Sequence, residues 1–242
     1  MTHSTSTIDQ VTELFDVWAA SDGYPHYQKH EYLKVLDTSS LLKNGSCSVL
    51  DVGCGVGFVA SALKARNHTV TGLDLSASAL NKALTNRLID HAVTADFLKS
   101  GLKSESFDVV VCWGVLMLIF DMKAAIAEGS RLLKPGGQIL IVDHYSGNPY
   151  VKAHFGRPNW VDLLVEKKSN VARHPLSPQM IHDAGAKLFA WDAPQFHSMF
   201  TKHPHTVINT AHSAARLLFS GIRKFTAAPW TGNFMSMSGR KV

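Results

Sequence analysis

The part of this 242-residue chain richest in chemistry is Val49-Leu50-Asp51-Val52-Gly53-Cys54-Gly55-Val56-Gly57. An apolar run leads into three alternating glycines, and residues 58–66 then show helical spacing. Glycine lets a backbone close on a ligand, and the start of a helix offers free N–H groups. Asp74 lies at the end of the next apolar run, where a carboxylate can accept from both hydroxyls of a ribose. The combination predicts a loop that cradles a nucleoside-containing ligand. The spacing departs from the G-x-G-x-x-G dinucleotide pattern, because Phe58 takes the last small position and would crowd a pyrophosphate. Asp51 adds negative charge where phosphates would sit, which suits a cationic group such as an amine. No Gly-Lys-Ser/Thr follows, so a Walker phosphate loop is excluded.

These residues need a scaffold, and residues 47–143 supply an alternating one. Apolar, β-branched runs at 48–52, 69–73, 92–94, 107–112 and 138–142 are predicted strands. Between them come helical segments, one capped by Ser76 and one over 122–133 that stops at Lys134-Pro135-Gly136-Gly137. Continuous apolar strands between helices predict a parallel sheet covered on both faces. Before this core, residues 8–35 are helical with a break at Gly23–Pro25. After it, Ser177-Pro178 opens a short helix ending near Gly185. Residues 187–191 and 233–239 read as strands, and residues 205–225 as an amphipathic helix.

Five motifs in order carry a resemblance: Val-Leu-Asp-Val-Gly-Cys-Gly-x-Gly, Gly-Leu-Asp-Leu-Ser, Ala-Asp-Phe, Phe-Asp-Val-Val-Val and Leu-Leu-Lys-Pro-Gly-Gly-Gln-Ile-Leu-Ile. Over residues 47–145 the chain resembles the class I S-adenosylmethionine-dependent methyltransferases, in their small-molecule, ubiquinone-biosynthesis-like branch. The resemblance implies an α/β, Rossmann-like fold with a seven-stranded, mostly parallel sheet, helices on both faces and an antiparallel last strand. It implies one domain over 1–242, with a helical cap at 1–46, a cofactor-binding core at 47–145 and a substrate-side part at 146–242. A helical insertion falls at about 200–226. The cofactor would be S-adenosyl-L-methionine, leaving as S-adenosyl-L-homocysteine. Gly53, Gly55 and the Cys54 backbone would line its methionine moiety, with Asp51 reaching toward the amino group. Asp74 would bind the ribose and Leu75 pack on the adenine. Asp96 would meet the adenine amino group beside Phe97. Cys112 and Trp113 would meet the methionine end, and Tyr24 or Tyr27 the cofactor carboxylate.

Methyl transfer from a sulfonium is an in-line displacement, so the protein must align the partners and exclude water. A general base is needed only for a protonated nucleophile. His144, just past the fifth strand, is the candidate base, with Tyr145 second. Relatives carry a histidine pair where this chain has Met117-Leu118, which implies an apolar pocket wall. His26 and His30 share a helix face and His203-Pro204-His205 is compact, but neither has a third ligand nearby, so no metal is expected. The Asn/Asp-Pro-Pro-Tyr and Pro-Cys motifs of adenine and cytosine methylation are missing after the fourth strand, which disfavours nucleic acid. The acceptor is then a small molecule, anionic or aromatic, methylated on O or N. An RNA-directed enzyme and a non-catalytic S-adenosylmethionine-binding regulatory or partner protein stay open as alternatives.

Composition sets the outer bounds. With 45% hydrophobic and 18% charged residues the chain is globular. Its longest uncharged apolar run, residues 109–120, is too short for a bilayer. The Ser/Thr-rich residues 1–8 lack the apolar stretch of a signal peptide. Cys47, Cys54 and Cys112 form no CxxC, so a reducing cytoplasm is the expected setting. The net charge of +5 is uneven: residues 1–150 hold 12 Lys+Arg against 15 Asp+Glu, and residues 151–242 hold 12 against 4. A basic second part suits an acidic acceptor or peripheral contact with an anionic membrane surface.

Overall fold

The computed structural model describes residues 8–20, 30–43, 45–149, 151, 173–197 and 234–242. Helix α1 (Ile8–Ala20), a 3-10 helix (His30–Thr38) and α2 (Ser40–Lys43) precede β1 (Ser48–Val52). Then come α3 (Phe58–Lys64), β2 (Thr69–Asp74), α4 (Ala77–Thr85), β3 (His91–Thr94) and β4 (Phe107–Trp113). Next are α5 (Met122–Leu132), β5 (Leu133–His144), α6 (Pro178–Gly185), β6 (Phe189–Trp191), β7 (Gln195–His197) and β8 (Phe234–Lys241). The strands form one sheet in the order β3-β2-β1-β4-β5-β8-β6, with β7 also on β8. Strands β1 to β5 are parallel, and β8 runs antiparallel between β5 and the edge.

Side-chain alternation divides the sheet between two cores. Val49, Val70, Val109, Val111, Leu140 and Val142 face one side, under α3, α4 and the N-terminal helices. Leu50, Val52, Leu73, Val110, Ile139 and Ile141 face the other, under α5 and α6. Both faces are buried, which is why the parallel strands read as unbroken apolar runs. Side-chain caps start the helices where the sequence places them. Ser76 Oγ accepts from Ala79 N–H at 3.1 Å, and Ser177 Oγ accepts from Met180 N–H at 3.2 Å with Pro178 in the first turn.

Two details differ from the sequence expectation. The sheet has eight strand segments where seven are expected, because the edge strand breaks at Asp192-Ala193-Pro194. Its halves β6 and β7 pair the same strand, at Gly239–Lys241 and at Phe234–Ser236. Proline has no N–H for a ladder, so the break falls there. Strand β5 also begins at Leu133 instead of Gln138. Its partners jump from Phe107↔Leu133 to Val109↔Gln138, so Lys134–Gly137 bulges out, with Gly136 at φ +72°. The helices expected at 205–225 and within 160–165 lie outside the described residues.

Candidate functional site

The order β2-β1-β4 reverses the chain's direction of travel across the sheet at β1. In open α/β sheets ligands bind outside the carboxyl ends of the strands at such a switch point. The glycine loop sits there. Gly53, Gly55 and Gly57 have φ of +68°, +53° and +90°, a left-handed backbone that residues with a Cβ avoid. The N–H groups of Gly53 and Cys54 both donate to the Leu73 carbonyl, at 2.8 and 3.1 Å, which pins the loop to β2. A side chain at Gly53 would also collide with Val115, its Cβ falling 2.8 Å from Val115 Cγ2.

Two carboxylates flank the loop. Asp74 Oδ2 accepts from Gly55 N–H at 2.7 Å, and its Oδ1 accepts from Ser76 N–H at 2.9 Å. Burial raises its pKa, and these N–H groups pull it back. Ser76 passes the connection outward: its hydroxyl donates to Asp16 Oδ1 of α1 at 2.5 Å. Asp51 is 1% exposed, and its Oδ2 has no hydrogen-bond partner. Burial first, then the charge of Asp74, pushes Asp51 up to about 7, against the Cys54 thiol and the Ala60 N–H. A buried, unsatisfied acceptor is costly unless a donor or a cation meets it.

The other expected cofactor residues divide by burial. Leu75 is half-buried directly after Asp74. Asp96 caps the 3-10 turn Phe97–Lys99, its Oδ1 accepting from Leu98 N–H at 3.0 Å. Phe97 is 4% exposed and packs in the core beneath β1 and β4. Trp113 is half-buried at the end of β4. Cys112 before it is fully buried, and burial pushes its thiol pKa far up, so the side chain is a neutral packing group. Cys54 behaves alike: burial, then the neighbouring Asp51 and Asp74, keeps its thiol neutral. Tyr24 and Tyr27 lie outside the described residues, as do His26, His203 and His205.

His144 ends β5, half-buried, with its ring 4.1 Å from that of Phe234. Tyr145 bridges to Leu176, and its ring lies 4.7 Å from Phe196. The sequence reading missed Asp143, which the structure buries completely beside them. Its signal was a lone carboxylate ending the apolar run Ile139–Val142. Among the described residues no group of three or more His, Cys, Asp or Glu is placed to hold a metal ion. None of the described helices is long and apolar enough to cross a membrane.

Residues 50–141 match the methyltransferase domain family. Together with the fold, this match makes residues 50–141 similar to S-adenosylmethionine-dependent methyltransferase domains. Across 150 residues the chain is 29% identical to a ubiquinone biosynthesis O-methyltransferase of Klebsiella pneumoniae (strain 342), covering 59% of this chain and 58% of that one. It is 35% identical over 119 residues to a malonyl-[acyl-carrier protein] O-methyltransferase of Enterobacter lignolyticus (strain SCF1), covering 47% of each. The chain thus spans about half the length of these relatives. The N-methyltransferase NodS of Bradyrhizobium japonicum WM9, solved with S-adenosyl-L-homocysteine, shares the fold at a TM-score of 0.63 and 16% identity, over 96% of this chain and 99% of that one.

Proposed function

We propose that the whole chain transfers a methyl group from S-adenosylmethionine to an oxygen or nitrogen of a small anionic or aromatic acceptor. The observation that carries this reading is the unsatisfied Asp51 Oδ2 beside three left-handed glycines. An amino-acid ammonium would supply the missing donor and the missing positive charge. Asp74, already tied to Gly55 and Ser76, keeps lone pairs for the ribose hydroxyls. Leu75 and Asp96 would flank the adenine, and the loop backbone at Gly53–Gly55 together with Trp113 would line the methionine end.

When bound, this cofactor supplies an electrophilic methyl on a sulfonium. The protein's part is alignment, exclusion of water and proton handling. His144 would take the proton of a hydroxyl or ammonium nucleophile, with Tyr145 beside it. Met117 and Leu118 give that side an apolar wall. Similarity to an O-methyltransferase of ubiquinone biosynthesis supports an aromatic hydroxyl as the acceptor group. The basic composition of residues 151–242 supports an acidic one. The test follows S-adenosylhomocysteine release over a panel of phenolic acids, catechols, amines and RNA. Turnover with a phenolic acid or an amine is the expected result. Tight cofactor binding with no turnover on any acceptor would make the chain a non-catalytic binder, and salt-sensitive turnover on RNA alone would overturn the small-molecule reading.

A further inference from the structure

Asp143 is fully buried and touches two chain segments at once. Its Oδ1 accepts from the N–H of His144 at 2.8 Å, and its Oδ2 from the N–H of Met117 at 3.1 Å. The Leu116 N–H donates to it as well. All three partners are donors, so the group that fits is a carboxylate with its lone pairs. An asparagine of the same shape would turn an NH2 toward at least one N–H.

The held segments border the candidate site on two sides. Residues 114–118 follow β4, and Val115 among them leans on Gly53, where even a methyl would collide. His144 ends β5. A third stretch stitches the two together from outside. His174 N–H donates to the Met117 carbonyl at 2.7 Å, and Leu176 N–H to the His144 carbonyl at 2.8 Å. Phe120 stacks edge-on against His174, with ring centres 5.5 Å apart. The Asp143 carboxylate fills the interior of this three-way junction. We propose that Asp143 is a positioning residue, fixing Met117 and His144 on the acceptor side relative to the glycine loop on the donor side. It acts through these two residues and touches neither substrate itself. The inference rests on the proposed methyl transfer for its meaning but not for its geometry.

Burial pushes Asp143 up to about 7, against the pull of the three N–H groups. Protonation would set an O–H among donors and loosen both segments. The groups that face Asp143 are the Cys112 thiol on β4, which stays neutral, and the backbone N–H groups of residues 116, 117 and 144.

The test compares Asp143→Asn and Asp143→Glu with the unaltered chain, using S-adenosylhomocysteine as donor-site probe and 3,4-dihydroxybenzoate as acceptor probe. In Asp143→Asn, calorimetric affinity for S-adenosylhomocysteine should stay within about threefold, because Asp51, Asp74 and the glycine loop are untouched. The kcat for methylation should fall at least about 30-fold, roughly 2 kcal/mol, and Asp143→Glu should restore part of it. In the S-adenosylhomocysteine-bound protein, amide exchange at Leu116, Met117 and His144 should quicken at least about tenfold, with β1 and β2 unchanged. Equal losses of donor affinity and kcat would show a merely structural residue and overturn the proposal. Unchanged exchange at the three amides would overturn it too. Should 3,4-dihydroxybenzoate not react with the unaltered chain, kcat is read with a panel acceptor that does, and the exchange pattern decides the role of Asp143 independently of the acceptor. Should Asp143→Asn not fold, Asp143→Glu gives the same readouts: the carboxylate is retained one methylene out of place, so intermediate exchange supports the proposal and unaltered exchange and kcat sink it.

Discussion

At the scale of single residues, buried charge decides most. Asp74 holds Gly55 and Ser76 by N–H bonds to a carboxylate, each worth about 1.5–3 kcal/mol. Asp74→Ala should weaken S-adenosylhomocysteine binding at least about tenfold by calorimetry; unchanged affinity would remove Asp74 from the site. His144→Ala should lower turnover at least about 100-fold and leave donor affinity alone, as general bases do; full activity would remove it as base. Asp51 carries a pH signature that it shares with Asp143. Its pKa is raised to about 7 in the fold, above its ordinary 3.8. Between those values the folded state holds a proton that the unfolded state has lost, so stability falls as pH rises through that window. The ligand-free protein should therefore melt higher near about pH 5 than near pH 8, and Asp51→Asn should reduce the trend, leaving the share that Asp143 contributes. An equal slope in that variant would assign the effect elsewhere. A cationic ligand favours ionised Asp51, so donor affinity should rise over the same pH range in the unaltered chain only.

At the scale of elements, the glycine loop and the caps matter. Gly57 precedes α3 at φ +90°, and a Cβ there would lie 2.9 Å from the Leu88 side chain. Gly57→Ala adds left-handed strain to a collision, so a loss of about 1–3 kcal/mol in unfolding free energy is expected, measured by urea titration. Ser76 caps α4, supports Asp74 and meets Asp16 of α1. Through its hydroxyl on Asp16 and its N–H on Asp74, Ser76 thus joins the N-terminal helix to the carboxyl end of β2. Cap motifs of this kind are local, which is why Ser76 and Ser177 are legible in the residues on either side of them. The break in the edge strand is not: nothing in residues 189–197 says that both halves pair with one distant strand.

At the scale of the whole molecule, charge divides the chain in two. Residues 1–150 are mildly acidic and residues 151–242 strongly basic. If the second part selects the acceptor, removing residues 200–226 should impair acceptor use far more than S-adenosylhomocysteine affinity; equal losses would make the segment structural. The sequence by itself determined the βα alternation, the glycine loop, Asp74 and the end of β5. Each is written in local signals: apolar period, positive-φ glycines, caps and breakers within a few residues of one another. Only the tertiary structure decided which side chains face inward and what they meet there. It buried the Cys112 thiol and packed Phe97 in the core. It left Asp51 Oδ2 without a donor and gathered Met117 and His144 around Asp143. Those outcomes depend on strands far apart in sequence becoming neighbours, and on the loss of water around a charge, which no short stretch of residues encodes.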